Sequence, residues 1–487
     1  MDSTLLFSFV IGYFLLLLVV AYFTSRNSNN ESFFIGNRSS NWMLVAFGMI
    51  GTSLSGVTFV SVPGAVGKEA FAYFQITLGY LIGYVVIAFV LLPLYYRLNL
   101  TSIYNYLSSR LGFASYKTGA SFFILSRTLG ATARLYLVVV ILQNTILTEL
   151  GVPFWLTTVI ILAMIMLYTY EGGVKTIVWT DTLQTTCMLA GLVICVIYIL
   201  NTMNISLGES LQRMGEKGYS TIFFTDPDSR YFFVKQILAG AFITVTMTGM
   251  DQEMMQKNIS VKTLPDAQKN VITLSIIMLV VILLFLVLGG LLYLYAEQVG
   301  VTETGDKLFP AIAMNHMPPL VSVIFIIALI SALFPSADGA ITALTSSFCI
   351  DILGMQRNQR WPEARKKKIR QMVHITFAFV FFLFVMVFYW VNQPSMIGVI
   401  LKVAGYTYGP LLGLFSFGIL TKRQVNDKLV PYICVSAPVI CYVLDVFQKD
   451  IFGSFEIGLE LLIINGALTF FGLMAVSKKK TAPGQTI

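Results

Sequence analysis

The sequence predicts an all-α membrane protein that crosses the bilayer many times. Of its 487 residues, 56% are hydrophobic and only 11% are charged, and the mean hydropathy is +0.79. A soluble chain carries about 25% charged residues. The apolar residues are grouped in runs of about 20, the length of a helix that spans a bilayer. Lipid is therefore the expected surroundings of most of the chain.

The apolar runs number thirteen, and each is expected to form one membrane-spanning helix. They lie at residues 3–23, 41–66, 74–96, 118–148, 153–170, 176–201, 231–250, 271–296, 320–350, 371–391, 396–420, 429–447 and 458–476. The first run is not expected to be a cleaved signal peptide. The basic residue beside it, Arg26, follows the apolar stretch instead of preceding it.

Lys and Arg residues are distributed unevenly between the two sides of these helices. The loops on one side, among them residues 251–270 and 353–370, carry 22 of them, and the opposite loops carry seven. Short loops rich in Lys and Arg remain in the cytoplasm. The sequence thus predicts an N-terminus outside the membrane and a C-terminus in the cytoplasm.

Several other classes of function find no support in the sequence. It contains no glycine-rich phosphate-binding motif, so we expect no use of ATP. The basic excess follows membrane topology, so nucleic acid is not an expected partner. The two histidines, His316 and His374, are far apart and belong to no nucleophile–base motif. An enzyme is therefore not expected, and any work must come from an ion gradient or from solute moving downhill.

Two predicted helices contain runs of small and hydroxylated residues. Residues 48–59 read GMIGTSLSGVTF and are soon followed by Pro63 and Gly64. Irregular backbone at membrane depth survives only where it is buried in protein or lines a cavity. A broken helix is the favoured interpretation, and close packing of small residues is the alternative. A second such run, AGAFITVTMTG at 239–249, lies five helices later and so crosses in the opposite direction, as in transporters with inverted repeats.

Charged residues also fall inside the predicted helices, namely Arg127, Arg134, Asp181, Asp338 and Lys402. Such residues cost about 2.5–3.5 kcal/mol at mid-membrane and usually mark function, with structural ion pairs as the alternative. Pro335 lies one turn before Asp338 and should release the carbonyl of Ser331 from the helical ladder. We therefore expect an oxygen-rich, negatively charged patch here, which suits a hard monovalent cation.

Three segments of the chain resemble one known family. They are GGVKTIVWTDTLQ at 172–184, DQEMMQKNISVKTLPDAQK at 251–269 and SADGAITALTSSFCID at 336–351. With them the chain resembles the sodium:solute symporter family, which includes sodium-coupled glucose, proline, iodide and sialic acid transporters. The resemblance runs over nearly the whole chain.

The resemblance implies a LeuT-type fold, in which ten core helices form two inverted repeats of five. One extra helix precedes the core and two follow it, giving about thirteen transmembrane helices. Residues 1–40 would hold the extra N-terminal helix and a cytoplasmic loop, 41–201 the first repeat, 202–230 an external loop, 231–420 the second repeat, and 421–487 two C-terminal helices and the tail.

The resemblance also implies where sodium binds. The main site of the family maps onto Gly51, Leu54, Ala332, Pro335 and Ser336. Pro335 stands where the family has a serine, so one hydroxyl ligand is missing. Some relatives hold a second sodium with an aspartate that matches Asp181. The hydroxyl positions of that site fall on Pro335, Asp338 and Gly339, so this second cation site, with Asp181 and Asp338, is altered or lost.

The solute cavity of the family maps onto residues from five core helices. They are Ser53, Ser55, Thr58, Gln75, Arg134, Thr246, Met247 and Lys402. Lys402 replaces a glutamine that touches sugar in the glucose transporters. Two interpretations stay open here. Arg134 and Lys402 bind an acidic solute, or Lys402 pairs with Asp338 and the solute is a neutral sugar.

The predicted function is therefore sodium-coupled symport of a small organic solute by alternating access. A sugar, a sugar acid and a small carboxylate are the candidate solutes. A membrane sensor that kept the fold and lost transport is the alternative. We expect sodium as the coupling ion, and a monomer in a bacterial inner membrane as the working form.

Overall fold

The computed structural model describes residues 3–25, 30–358, 360–391 and 396–479. Arg26 and residues 480–487 of the tail lie outside the described residues. Within them, twenty α-helices, numbered α1 to α20 in chain order, comprise Ser3–Ser25, Asn30–Ile35, Trp42–Glu69, Tyr73–Val86, Leu92–Arg97, Asn105–Arg110, Phe113–Leu142, Phe154–Met203, Leu207–Glu216, Phe233–Met247, Gln252–Ile259, Leu264–Val299, Leu308–Asn315, Pro319–Ser347, Glu363–Val391, Met396–Thr407, Gly409–Leu420, Val430–Val446, Gln448–Phe452 and Leu461–Ala475.

Shorter elements join or extend these helices. The 3₁₀ turns are Gly36–Arg38, Gly305–Lys307 and Asp427–Leu429, and the π-helical turns are Ile87–Leu91, Gln143–Leu147 and Phe348–Ile352. Strands β1 (Gln424–Val425) and β2 (Ser477–Lys478) pair antiparallel. The described part of the chain is thus almost wholly helical, as composition predicted.

The helical segments coincide with the predicted spans. Within the described ranges, nine helices are each long and apolar enough to cross a membrane, and two bent pairs of helices pass the same test together. Two shorter apolar helices, Phe154–Tyr170 and Leu461–Ala475, fall at the other two predicted spans. The predicted spans at 153–170 and 176–201 are the two halves of α8, which turns at Gly173 with φ of 53°.

The two halves of the core pack on each other in a roughly symmetric way. Helix α3, the first of the first repeat, packs on α12, the second helix of the other repeat. Its counterpart α10 packs on α4 in the same way. Helix α1 lies against α8 and α14, while α18 and α20 pack on each other and α20 on α17, so the extra helices flank the core. The fold therefore places the breaks of α3 and of the α10–α11 pair face to face.

Glycines set the distance between α4 and α10. A Cβ atom at Gly79 would lie 2.1 Å from the carbonyl oxygen of Ile237, and one at Gly240 would lie 2.2 Å from that of Ile76. Backbone cannot move aside as a flexible side chain can, so these two helices would have to separate. The contact is a small-residue interface of the kind that brings membrane helices close together.

We expect Gly240→Ala to lower the melting temperature of the purified protein in detergent. Overpacking of this kind costs about 1–3 kcal/mol. Gly12→Ala is the matched control, since no atom lies within 4 Å of a Cβ built there. Equal melting temperatures for the two variants would show that α4 and α10 do not approach as closely as described.

Candidate functional site

Helix α3 is broken at Ser55, where φ is 50° and ψ is 165°. A residue other than glycine in such a conformation costs of order 1–3 kcal/mol, and it persists where the surrounding structure holds it. A Cβ atom at the next residue, Gly56, would lie 2.6 Å from Val138 and 3.6 Å from the backbone of Leu333. The predicted broken helix is confirmed, and its irregular backbone is buried against α7 and α14.

The second break separates α10 from α11, whose axes differ by 67°. It lies at the C-terminal end of the predicted stretch 239–249. Asp251 caps α11, since its Oδ1 accepts hydrogen bonds from the amides of Glu253 at 2.9 Å and Met254 at 3.2 Å. Its other carboxylate oxygen accepts a hydrogen bond of 2.7 Å from the hydroxyl of Tyr408. The second predicted break is therefore confirmed as well.

A cavity of about 90 Å³ lies between the two breaks, and we call it the central cavity. Its lining comes from α3, α4, α7, α10, α11, α12 and α16, and it includes Ser53, Ser55, Thr58, Tyr73, Tyr80, Tyr84, Arg127, Arg134, Thr244, Met247, Thr248, Met254, Met278, Ile397, Ile400 and Leu401. The five core helices that the family resemblance implied all contribute, and Met278 adds the seventh. Hydroxyls, tyrosines and guanidinium groups on apolar walls suit a small polar molecule.

Arg134 presents its guanidinium to the central cavity. Across the described ranges of the chain, no hydrogen bond or ion pair to this side chain is found. Arg127, two helical turns earlier, is instead paired with Glu253 and Asp251. Arg134 is partly buried and is bonded to no carboxylate in the described ranges, although Glu253 and Asp251 lie in the neighbouring network. Its donors are therefore available to a negatively charged group in the cavity.

Five of the eight predicted solute-site residues line the central cavity: Ser53, Ser55, Thr58, Arg134 and Met247. Gln75 and Thr246 do not. The amide of Gln75 donates to the carbonyl of Tyr231 at 3.2 Å and accepts from the amide of Phe224 at 3.2 Å, which ties α4 to the loop after α9. The hydroxyl of Thr246 donates to the carbonyl of Phe242 at 2.8 Å, within its own helix.

Lys402 lies apart from the central cavity. Its side chain is 61% exposed and pairs with Asp445 at 2.7 Å. It lines an outer cavity of about 310 Å³ with Glu69, Arg230 and Asp445, and this cavity shares Tyr73, Ile397 and Leu401 with the central cavity. Lys402 does not line the central cavity itself, because it points about 100° away from Leu401 around the helix. Lys402 thus neither joins Arg134 nor pairs with Asp338, in contrast to both interpretations drawn from the sequence.

The residues of the expected main sodium site meet where α3 passes α14. A Cβ atom at Gly51 would lie 3.5 Å from the ring of Pro335 and 2.4 Å from the hydroxyl of Thr185, so only glycine fits. The amide of Gly51 donates to that hydroxyl at 3.2 Å. Leu54, Ala332, Pro335 and Ser336 are buried. The fold therefore brings together the two helices on which this site was predicted.

Six charged residues form a buried charge network beside the central cavity. They are Arg127, Asp181, Asp251, Glu253, Lys257 and Asp338, none more than 4% exposed. Arg127 bonds Glu253 through Nη2, and its Nη1 lies 3.9 Å from Asp251. Four of these residues are acidic and two are basic. The network therefore has fewer positive than negative groups, and Arg134 is a further positive group nearby.

Lys257 lies at the centre of this network. Its Nζ is 2.7 Å from the carboxylate of Asp181 and 2.7 Å from the hydroxyl of Thr52, and it lies 3.8 Å from Glu253. Asp338 accepts a hydrogen bond of 2.6 Å from the hydroxyl of Tyr168, and no ion pair to it is found in the described part of the chain. Asp181 thus already carries a cation, while Asp338 does not.

Sequence reasoning missed Asp251, Glu253 and Lys257 as intramembrane residues, because it placed 251–270 in a cytoplasmic loop. In the structure these residues form the short helix α11 and its cap, buried among α3, α8 and α14. An eight-residue helix with two charges has no hydropathy signal of its own. Asp251 followed by QEMMQK was the available signal, since Asp is a preferred N-cap residue.

Comparisons with known proteins identify the family and the fold of the chain. The family model described as "Sodium:solute symporter family" matches residues 33–428. The sodium/sialic acid symporter SiaT of Proteus mirabilis is 22% identical, over 93% of this chain and 92% of that protein. The mouse sodium-coupled monocarboxylate transporter 1 is 26% identical, and the match covers 82% of this chain and 66% of that protein.

Among solved structures, the chain resembles a substrate-bound, outward-open Na⁺-coupled sialic acid symporter. The TM-score is 0.83 at 18% identity, with 98% of this chain and 99% of that chain covered. This likeness shows a shared fold of two inverted five-helix repeats. Neither the family nor these relatives are enzymes, and sodium is the coupling ion of the family. The chain therefore belongs to the sodium:solute symporter family and is a multi-pass, sodium-coupled transporter of a small organic solute.

Proposed function

We propose that the solute carries a carboxylate or a similar acidic group and that Arg134 binds it. The observation that carries this proposal is Arg134, which lines the central cavity and forms no hydrogen bond or ion pair within the described ranges. A guanidinium offers two parallel donors that match a carboxylate. Sialic acids and monocarboxylates, the solutes named for two relatives, both carry that group.

The remainder of the solute is assigned to the neutral groups of the same cavity. Ser53, Ser55 and Thr58 supply hydroxyls on one side, and Tyr73 and Tyr80 supply them on the other. Such groups hydrogen-bond a sugar or a short hydroxy acid. Both sequence interpretations gave Lys402 a role that its pair with Asp445 takes away. The acidic-solute interpretation keeps Arg134 as its cation, whereas the neutral-sugar interpretation loses its pair between Lys402 and Asp338.

Sodium-driven uptake into proteoliposomes tests the proposed solute class. We expect a labelled sialic acid or a labelled monocarboxylate such as lactate to accumulate when sodium is high outside. Uptake of each acid should be inhibited by the other acid and not by glucose. Uptake of glucose with no uptake of any acid would contradict the proposal while leaving sodium coupling intact.

The main sodium site is proposed at Gly51, Leu54, Ala332, Pro335 and Ser336. It lies at the contact between the broken helix α3 and α14, so a bound ion would hold these helices together and favour the outward-open state. One sodium moving through about 100 mV supplies about 2.3 kcal/mol. A tenfold gradient adds about 1.4 kcal/mol. Together these are enough for roughly 500-fold accumulation of a neutral solute and for less of an anion.

Ser336→Ala is expected to raise the sodium concentration for half-maximal uptake by roughly 2- to 10-fold, since one polar ligand is worth about 0.5–1.5 kcal/mol. The hydroxyl of Ser336 donates to the carbonyl of Leu333 at 2.9 Å and is the surviving hydroxyl of the site. Ser331→Ala is the control, because that hydroxyl bonds Tyr13 on α1 at 2.7 Å. Equal sodium dependence in the two variants would exclude Ser336 as a ligand.

We also propose the membrane arrangement that the sequence predicted. The N-terminus lies outside and the C-terminus in the cytoplasm of a bacterial inner membrane, with repeats at residues 41–201 and 231–420. Without Lys257, which is buried, the loops of the cytoplasmic side still hold 21 Lys and Arg residues against seven. The protein works as a monomer and uses neither ATP nor nucleic acid. Labelling of single cysteines from each side of the membrane tests the orientation.

A further inference from the structure

The ammonium group of Lys257 joins three helices of the core. Lys257 stands on α11, and its Nζ lies 2.7 Å from Asp181 on α8 and 2.7 Å from Thr52 on α3. The carboxylate of Glu253 is a further oxygen at 3.8 Å. The side chain of Lys257 is only 3% exposed, and that of Asp181 is 1% exposed. The ammonium is therefore held inside the protein by oxygen atoms.

These surroundings have the chemistry of a site for a monovalent cation. Carboxylate and hydroxyl oxygens are hard ligands, and the ammonium donates to one carboxylate, that of Asp181, and to the hydroxyl of Thr52. The second carboxylate, that of Glu253, is too distant for a hydrogen bond at 3.8 Å. A sodium ion at Asp181 would have to share the same carboxylate with the ammonium. Two like charges so close together in a buried place repel strongly. The lysine head and a sodium ion are thus alternatives for this position.

The space for the lysine head is provided by a glycine on α14. A Cβ atom at Gly339 would lie 2.4 Å from Oε1 of Glu253 and 3.2 Å from Nζ of Lys257. A side chain at this position would therefore displace the carboxylate of Glu253 and press on the ammonium of Lys257. The glycine thus leaves the lysine head the room that it occupies.

We propose that the ammonium of Lys257 is a built-in cation that fills the position beside Asp181. The chain then binds one sodium ion, at the main site of α3 and α14, and Asp181 binds none. The inference rests on the proposed main sodium site. The lysine then also holds α3, α8 and α11 together, and no ion from solution is needed at this position while these helices stay in contact.

Equilibrium binding of ²²Na⁺ to the purified full chain, without solute, tests the inference. We expect one sodium ion per protein in the wild type. In Lys257→Met the vacated position should accept sodium, so that saturation binding rises to two ions per protein. Two ions in the wild type, or one ion in a folded Lys257→Met variant, would overturn the inference. No binding in the wild type would instead contradict the proposed main site.

A double variant that removes both charges provides a second test if Lys257→Met does not fold. In the double variant Asp181→Asn/Lys257→Met neither charge remains, so no carboxylate is left buried without a partner. We expect this variant to bind one sodium ion, as the wild type does. If Asp181 held a sodium ion in the wild type, the double variant would bind one ion fewer. Loss of a bound ion in the double variant would therefore also overturn the inference.

Discussion

Replacing Arg134 with glutamine is expected to weaken solute binding by roughly 10- to 150-fold, which corresponds to about 1.5–3 kcal/mol for a hydrogen bond to a charged group. Lys402→Gln is expected to change the affinity for the solute about twofold at most. Arg134 faces the central cavity, whereas Lys402 is 61% exposed and paired with Asp445, and exposed pairs contribute little. The measurement is the solute dissociation constant at saturating sodium.

Arg134→Lys separates charge from geometry. This variant keeps the positive charge and loses the two-pronged donor, so its affinity should fall between those of the wild type and Arg134→Gln. The reverse pattern, with a large loss in Lys402→Gln and none in Arg134→Gln, would move the solute into the outer cavity of about 310 Å³ around Lys402 and Asp445.

The fold was largely predictable because its signals are local. Each membrane span is predicted by its own apolar run. The break at Ser55 is predicted by the glycines and hydroxylated residues around it. The direction of the second break followed from counting helices. The main sodium site was mapped from the family resemblance and stays a prediction, although the fold does bring Gly51 on α3 close to Pro335 on α14.

The electrostatics of the site were less predictable because they depend on helix phase and on neighbours distant in sequence. Lys402 and Leu401 are adjacent in sequence, yet one faces solvent and the other the central cavity. Lys257 and Asp181 are 76 residues apart, and their contact exists only because α11 is folded back into the core. No local pattern states that a lysine in a polar stretch will be buried.

The second large effect is expected in the buried charge network. Arg127→Met should destabilise the folded protein by about 3–5 kcal/mol, because the buried carboxylate of Glu253 loses its directly bonded cation and keeps only Lys257 at 3.8 Å. Arg127 and Glu253 are 4% and 1% exposed, so water cannot replace the lost partner. The exposed pair of Lys217 and Glu297 is the control, and Lys217→Met should change the stability little. The measurement is equilibrium unfolding in detergent.

The double variant Arg127→Met/Glu253→Gln should recover most of this loss, because the carboxylate that Arg127 bonds directly is then neutral. Asp251 retains its hydrogen bonds from Tyr408 and from the amides of α11 in this variant. The two changes should therefore be strongly non-additive, as expected for residues in direct contact. If Arg127→Met were as stable as the Lys217→Met control, Glu253 would have to be neutral in the folded protein. The four acids of the network would then not depend on Arg127 for their compensation.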